Sequence, residues 1–526
     1  MVCGKFLVMM VECIIKGCVM NMSYADVYDF ASAVNKKGLK KFEIELGIHH
    51  QELGFDWNEP VPEDKWMLIA DYCANDVVAT EAVFNHLAGD WAVRQILSEL
   101  SGLTVNDTTN SHAAKIVFGD DPRPQDKGVY TDLSIMFPGY TFNNFKSIYR
   151  GEETGEGGYV YAEPGMYSNV AVLDIASMHP TSIEELNLFG PYTKRYSQVK
   201  HGRLFLKHKD YSGLANVLEG KLKSFIPKIE KGELSPKDLS NGLKTVLNSA
   251  YGLTFAKFDN KFKDPRNVDN IVAKRGALFM IDLKHEVQER GYIVAHIKTD
   301  SIKIPNATND ILSFVMDFGK KYGYDFEHEE TFKKMCLVND AVYIAKDSND
   351  KWVATGTQFA QPYVYKTLFS KEAIMFKDMC ETKSVTTSMY LDMNENLGDE
   401  HDYHFVGRVG LFCPIQSGCG GGLLLRKKED KYNAVTGTKG YRWMESEMVK
   451  TLGKEKYIDM KYYKDLVNSA IDNISKFGDF EWFVSNDKVP NFCSKNEVAD
   501  CLDCDSWINT EHHANLCLLG YDCIPF

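Results

Sequence analysis

Short β-branched apolar runs that end abruptly at an aspartate constrain this chain more than any other feature. Val170-Ala171-Val172-Leu173 reads as a buried strand and runs straight into Asp174. Ile293-Val294-Ala295-His296-Ile297 and Ser301-Ile302-Lys303-Ile304 read as two more strands, and the tight polar connection Lys298-Thr299-Asp300 puts Asp300 at a hairpin tip. A carboxylate at a buried strand end is costly to desolvate unless a cation or hydrogen bonds compensate it. Taken singly, each acid is more commonly a helix N-cap or a turn aspartate. Strands interrupted by helical stretches indicate an α+β chain.

Between the two acids lies Lys244-Thr245-Val246-Leu247-Asn248-Ser249-Ala250-Tyr251-Gly252. On a helix, Lys244, Asn248 and Tyr251 fall at i, i+4 and i+7, so an ammonium, an amide and a phenol share one face. Val246, Leu247 and Ala250 lie elsewhere, and Gly252 is expected to end the helix. Such a face suits a planar ligand that carries phosphate, because the ammonium can neutralise charge developing in a transition state. The plain alternative is a solvated amphipathic helix, which would carry more charge on its outer side. Acids on separate strands, with a cation on the helix between them, form the set that two-metal phosphoryl transfer requires.

On these residues the sequence resembles the family B DNA polymerases of bacteriophages and other viruses. Asp174-Ile175-Ala176-Ser177-Met178-His179-Pro180 is similar to motif A, D-x-x-S-L-Y-P. Lys244 to Gly252 matches motif B, K-x-x-x-N-S-x-Y-G, at every specified position, and His296 to Ser301 resembles motif C, Y-x-D-T-D-S. Gly157-Gly158-Tyr159, with Tyr149 upstream, resembles the Y-x-G-G element before motif A. Tyr72-Cys73-Ala74-Asn75-Asp76 fits the Y-x-x-x-D of the family's proofreading exonuclease.

The resemblance implies a right-hand polymerase: a palm with an antiparallel sheet, helical fingers and a thumb, preceded by a partial ribonuclease H-like exonuclease remnant. The implied divisions are 1-100 for the remnant, 101-195 for palm entry with motif A, and 196-252 for the fingers. Residues 253-370 carry the palm with motif C, and 371-526 the thumb and C-terminal region. The implied activity is template-directed addition of deoxynucleotides to a primer 3′-hydroxyl by a DNA-directed DNA polymerase in viral replication. Its implied partners are primer-template DNA and deoxynucleoside triphosphates. Asp174 and Asp300 would hold two Mg2+ ions, with the carbonyl of Ile175 as a further ligand. Ser177, Met178, His179, Lys244, Asn248 and Tyr251 would receive the nucleotide. Gly157, Gly158, Thr299, Lys439 and Arg442 would meet DNA.

Two departures stand out. His179 occupies the place of a tyrosine that excludes ribonucleotides, which makes sugar selectivity an open question, and Lys298 replaces the first aspartate of D-T-D. Lys298 also favours a rival reading, a catalytically impaired polymerase fold that serves as a DNA-binding replisome scaffold. The palm's Lys-x-Tyr is poorly kept, with Ala341 before Tyr343. No D-x-E precedes Tyr72, so proofreading is not expected of this chain unless a separate polypeptide completes the exonuclease.

The 526 residues carry 60 Lys+Arg against 73 Asp+Glu, a net −13, so any nucleic-acid contact must come from local patches. Candidates are Lys194, Arg195, Lys200, Arg203, Lys207 and Lys209, then Lys257, Lys261, Lys263 and Arg266, and in the thumb Arg426-Lys427-Lys428. Thirteen cysteines, an odd number in a long chain, point to a reduced interior and to the cytoplasm, the host's if the protein is viral. Lys5, Glu12 and Lys16 break the apolar N-terminus into runs too short for a membrane helix. Cys493, Cys501, Cys504 and Cys517, with His512 and His513, contain one tight pair and make a weak zinc signal.

Overall fold

The computed structural model describes residues 25–55, 59–395 and 400–485. The cysteine-bearing tail and the apolar N-terminus therefore lie outside the described residues. Among those residues every strand pairing is antiparallel, and the strands form three sheets.

A small sheet joins β1 (Thr141–Asn143), β2 (Lys146–Tyr149) and β3 (Glu152–Thr154). The central sheet contains β4 (Val160–Ala162), β5 (Gly165–Ile175), β6 (His296–Lys298), β7 (Ser301–Pro305), β8 (Phe326–Asn339), β9 (Val342–Lys346) and β10 (Trp352–Thr355). Its order is β10-β9-β8-β5-β7-β6-β4. The third sheet, β14-β13-β11-β12-β15, is built from β11 (Glu381–Asp392), β12 (Tyr403–Ile415), β13 (Leu423–Lys428), β14 (Lys431–Ala434) and β15 (Arg442–Glu445).

β5 is the centre of the molecule because both of its faces are covered. Ala171, Leu173 and Ile175 enter the main core with the helix Ile271–Glu289, whereas Val170 and Val172 pack with Phe332, Met335 and Leu337. Burial on both sides explains why the strand reads as an unbroken apolar run. The helix Pro236–Thr254 starts at Ser235, whose side chain accepts from the Asp238 N–H, with Pro236 in its first turn. Leu239, Leu243, Val246, Leu247 and Ala250 are its buried stripe. The helix continues two residues beyond Gly252. Gly252 is exposed on a helical turn, so nothing there requires a left-handed terminator.

Val338 to Ala345, which reads as a single strand, is a hairpin. The Asn339 side chain accepts from the Ala341 N–H, an Asx turn that separates β8 from β9.

Candidate active site

β5 and β7 pair in antiparallel register, with Asp174 directly opposite Ser301 and Leu173 opposite Ile302. Asp300 is the residue before Ser301, and its carbonyl accepts from the Ile175 N–H at 2.9 Å. The two acids, 126 positions apart (300 − 174), are thus carried on hydrogen-bonded neighbouring backbones. Both are half-buried. Burial raises the proton affinity of Asp174, and the nearby charges of Asp300, Glu329 and Glu327 add to it, so its pKa is pushed up to about 7 although Lys303 pulls the other way. Burial raises Asp300 as well.

The hairpin tip is held in a strained form. Thr299, a β-branched residue, sits at φ 58°, and its N–H donates to the Tyr159 carbonyl at 2.9 Å. The Gly157-Gly158 loop presses against it: a Cβ on Gly158 would lie 2.6 Å from Thr299 Cγ2 and 3.0 Å from its Cα. Helix Ile271–Glu289 anchors that loop. Asn270, just before the helix, donates to the Glu156 carbonyl at 3.0 Å, Lys274 donates to the Gly155 carbonyl, and Lys284 pairs with Glu152 at 2.7 Å.

Beyond Ile175 the chain turns through Ser177, at φ 61° and ψ 50°, into the helix Met178–Glu185. N–H groups of a helix's first turn have no partner within the helix, so Ser177 and Met178 stand where an anion can be received. His179, in this turn, stacks on Tyr251 of the Pro236–Thr254 helix, with ring centres 3.9 Å apart and planes 21° from parallel. Burial depresses the His179 pKa to about 4, so the ring is neutral, and its Nε2 is buried without a hydrogen-bond partner. Lys244 and Asn248 are exposed on the same helix, and neither makes a hydrogen bond or ion pair among the described residues. The structure therefore brings the motif A and motif B residues together through one aromatic stack, and it ties motif A to motif C through one backbone hydrogen bond.

Two of the expected DNA contacts differ in setting. Lys439 is exposed on the turn before β15. Arg442 is 9% exposed, and its guanidinium donates to the carbonyls of Gly421, Asn394, Asp392 and Met393. With its donors turned inward, Arg442 braces the third sheet and is not presented to DNA. The basic patches are also partly neutralised from within: Lys200 pairs with Glu184, Lys207 with Glu327 at 2.6 Å, and Arg266 with Asp264 at 2.6 Å.

Glu327 is the functional candidate that sequence reasoning missed. It lies directly opposite Asp174 in the β5–β8 register, with Glu329 close enough to raise Asp174 further. The signal in the sequence is the acidic run Glu327-His328-Glu329-Glu330, whose place opposite Asp174 depends on the strand pairing. Even so, among the described residues no three His, Cys, Asp or Glu side chains converge into a ready-made cation cage.

Tyr72 and Asp76 lie on the helix Trp66–His86. Asp76 is 7% exposed and pairs with Lys40 at 2.5 Å, and the same ammonium lies 4.2 Å from the Tyr72 ring centre. This acid is already neutralised within the fold. The same helix exposes Met67, Val77 and Val78.

No family model matches the sequence. A curated relative, DNA polymerase 1 of Sulfurisphaera ohwakuensis, is 25% identical over 198 residues, which take in 34% of this chain and 22% of that protein. DNA polymerase 1 of Aeropyrum pernix is 22% identical over 189 residues, or 32% of this chain and 19% of its own length. The chain is similar to archaeal DNA polymerases. The matched stretch spans about a fifth of the length of these relatives, and both are archaeal rather than viral. Among solved structures, the family B DNA polymerase of Pyrobaculum calidifontis aligns with a TM-score of 0.41 and 13% identity, over 87% of this chain and 64% of that one. Among the described residues no helix is long and apolar enough to cross a membrane.

Proposed function

We propose that this chain is a template-directed DNA polymerase that adds deoxynucleotides to a primer 3′-hydroxyl, with its centre at Asp174 and Asp300. One observation carries the reading: the Ile175 N–H to Asp300 carbonyl bond, which ties together the strand ends that bear the two acids. A nucleotide would enter between that pair and the helix Pro236–Thr254. Lys244, free of internal partners, is the cation for its phosphates. The first turn at Ser177 and Met178 offers backbone N–H groups to the same phosphates. The stacked rings of His179 and Tyr251 form a wall at which the shape of sugar and base is tested. Thr299 and Gly158, locked together, fix the level of Asp300.

The donor set suits magnesium. Two hard carboxylates are held half-buried, and burial together with the charge of Asp300 raises the proton affinity of Asp174, a cost that a small divalent cation relieves. When bound, such ions activate the primer hydroxyl and stabilise the pyrophosphate leaving group. Lys298 stands beside this centre with a charge opposite to that of the acid expected there. It favours a second reading, a DNA-binding subunit with impaired chemistry. The Asp76–Lys40 pair supports an absence of proofreading in this chain, because a lysine already occupies the acid that a metal would need.

Primer extension with Mg2+ by the purified chain tests the proposal, with Asp300→Ala as control. Extension by the wild type that is lost in Asp300→Ala supports it. Equal activity in both refutes the site, and duplex binding without extension by either favours the second reading.

A further inference from the structure

The chain enters the third sheet with a thiol that meets a second thiol across the strand pair. Glu381 pairs with Phe412 in the antiparallel β11–β12 register, so Cys380, just before that pair, and Cys413, just after it, stand opposite each other. Their sulfurs lie 3.4 Å apart although the residues are 33 positions apart in sequence. Facing residues of an antiparallel pair have Cα atoms about 4.5–5.5 Å apart, inside the range that a disulfide spans. Both thiols are also held in place. The Cys380 thiol donates to the Phe376 carbonyl at 3.3 Å, which leaves Cys413 as the donor between the two sulfurs. The turn Phe376–Met379 is fixed in turn: Asp378 accepts from the Met375 N–H at 2.7 Å and from Lys366 at 2.9 Å, and the Met379 carbonyl accepts from the Tyr463 hydroxyl at 2.7 Å. Cys413 lies on β12, a strand paired on both sides, and faces Met444 of β15.

The two sulfurs differ in a way that simple packing of two small apolar side chains does not require. Cys413 is fully buried, whereas Cys380 is half-buried. The hydrogen bond from Cys413 holds the Cys380 thiol below the ordinary thiol range; burial and Asp378 work against it, and the charge of Lys450 works with it. The same contact, reinforced by burial, pushes the Cys413 thiol far up. Lys450 belongs to the helix Ser446–Thr451, and its ammonium lies 5.0 Å from the ring centre of Phe376. Cys336 gives the contrast, since it sits in an apolar cluster where burial alone pushes its thiol up to about 12. An accessible sulfur that ionises readily, in contact with a second sulfur that keeps its proton, is the arrangement in which the first attacks an oxidant and the second resolves the product.

We propose that Cys380 and Cys413 form a reversible dithiol–disulfide pair whose oxidant is a hydroperoxide. The Cys380 thiolate attacks one oxygen of hydrogen peroxide: an S–O bond forms, the O–O bond breaks, and the departing hydroxide leaves as water with the proton that Cys380 gave up. The product is a sulfenic acid at Cys380. Cys413 then displaces hydroxide from that sulfur, the S–S bond forms, and the Cys413 proton leaves with the hydroxide as a second water. The two sulfurs together give up two electrons, which reduce the peroxide, and a small dithiol returns them by exchange. The bond ties the segment entering the third sheet to an inner strand of that sheet. It involves neither Asp174 nor Asp300, so it stands independently of the polymerase reading.

The test uses the full chain, reduced and then freed of reductant. Hydrogen peroxide is added at a level that oxidises a model thiol in a parallel tube, remaining thiols are blocked with N-ethylmaleimide in denaturant, and the peptides carrying Cys380 and Cys413 are weighed. The expected product joins those two peptides, is lighter than their sum by two hydrogens, and is released by dithiothreitol. The oxidised chain should also unfold at a higher urea midpoint than the reduced chain, a shift that Cys380→Ser does not show. Cys413→Ala lacks the resolving sulfur and should accumulate sulfenic acid at Cys380, captured by dimedone. Recovery of Cys380 and Cys413 from the wild type as two maleimide adducts overturns the pair. So does a product in which either is joined to another cysteine in preference to its neighbour. Both of these outcomes are read on the wild type, so a variant that fails to fold leaves the decision intact.

Discussion

Replacing Asp174 by Asn is expected to stabilise the metal-free protein while abolishing extension. In the folded chain the Asp174 carboxyl holds its proton up to about pH 7, whereas an ordinary aspartate releases it near 3.8. Between those values the folded state binds more protons than the unfolded chain. This group's stabilising contribution is therefore fully present below pH 3.8 and is lost as pH rises through 7. A displacement from 3.8 to 7 converts in full to about 4 kcal/mol, at 1.36 kcal/mol per pH unit. Because the carboxyl is only half-buried, solvent screening reduces this to about 1–2 kcal/mol. Asn keeps the shape without the charge, so Asp174→Asn should raise the urea midpoint by that equivalent at pH 8 in EDTA and leave it nearly unchanged at pH 4. Millimolar Mg2+ should stabilise the wild type at pH 8 and have little effect on the variant, because the cation relieves the repulsion that Asn has already removed. If Asp174→Asn is destabilising by the same amount at both pH values, or if Mg2+ stabilises both proteins alike, the carboxylates are not an electrostatically strained pair.

Other perturbations test the remaining parts of the site. Gly158→Ala drives a methyl into Thr299, including its backbone, so the hairpin tip must shift; a stability loss of about 1–3 kcal/mol with a larger loss of extension rate is expected from urea denaturation and single-turnover assays. Lys244→Ala should lower kcat/KM for the incoming nucleotide by about 10²-fold or more with little change in duplex affinity, as steady-state kinetics and binding titrations will show. His179→Ala removes one half of the stack with Tyr251, and the ratio of ribo- to deoxyribonucleotide incorporation should rise; an unchanged ratio removes His179 from the sugar-facing wall. Lys40→Met leaves Asp76 buried without its cation and should cost about 3–5 kcal/mol in the N-terminal region, followed by urea denaturation, without changing extension by the folded protein.

What could be read from the sequence follows from how local each signal is. β5 was legible because a strand covered on both faces is written as an apolar run, and an acid at its end interrupts that run visibly. The helix carrying Lys244, Asn248 and Tyr251 was legible because its buried stripe at Leu239, Leu243, Val246 and Leu247 leaves those three residues on another face. Glu327 was not, because its position opposite Asp174 depends on a pairing between segments about 150 residues apart, and local periodicity carries no register. Arg442 misled because a Gly-rich basic segment looks the same whether its guanidinium faces phosphate or four carbonyls of its own chain. The break between β8 and β9 was hidden because a single Asn side chain makes the turn inside an otherwise apolar stretch.

The least legible feature is the backbone at the two acids, and it bears most directly on what the site can do. Ser177 and Thr299 both lie at positive φ, three residues after Asp174 and one before Asp300. Neither residue type prefers that region, and each instance costs about 1–3 kcal/mol unless the surroundings impose it. For Thr299 the surroundings are named: the Tyr159 carbonyl takes its N–H, and Gly158 leaves room for its side chain where any larger residue would collide. Gly158 is therefore part of the geometry at Asp300 although it carries no functional group, because it allows a β-branched residue to hold the tight turn. Thr299→Gly would remove that constraint at no steric cost. If the acids work as a preorganised pair, it should lower the extension rate while leaving the fold as stable or more stable. A variant that is less stable and equally active would show instead that the strain has no role in aligning Asp300.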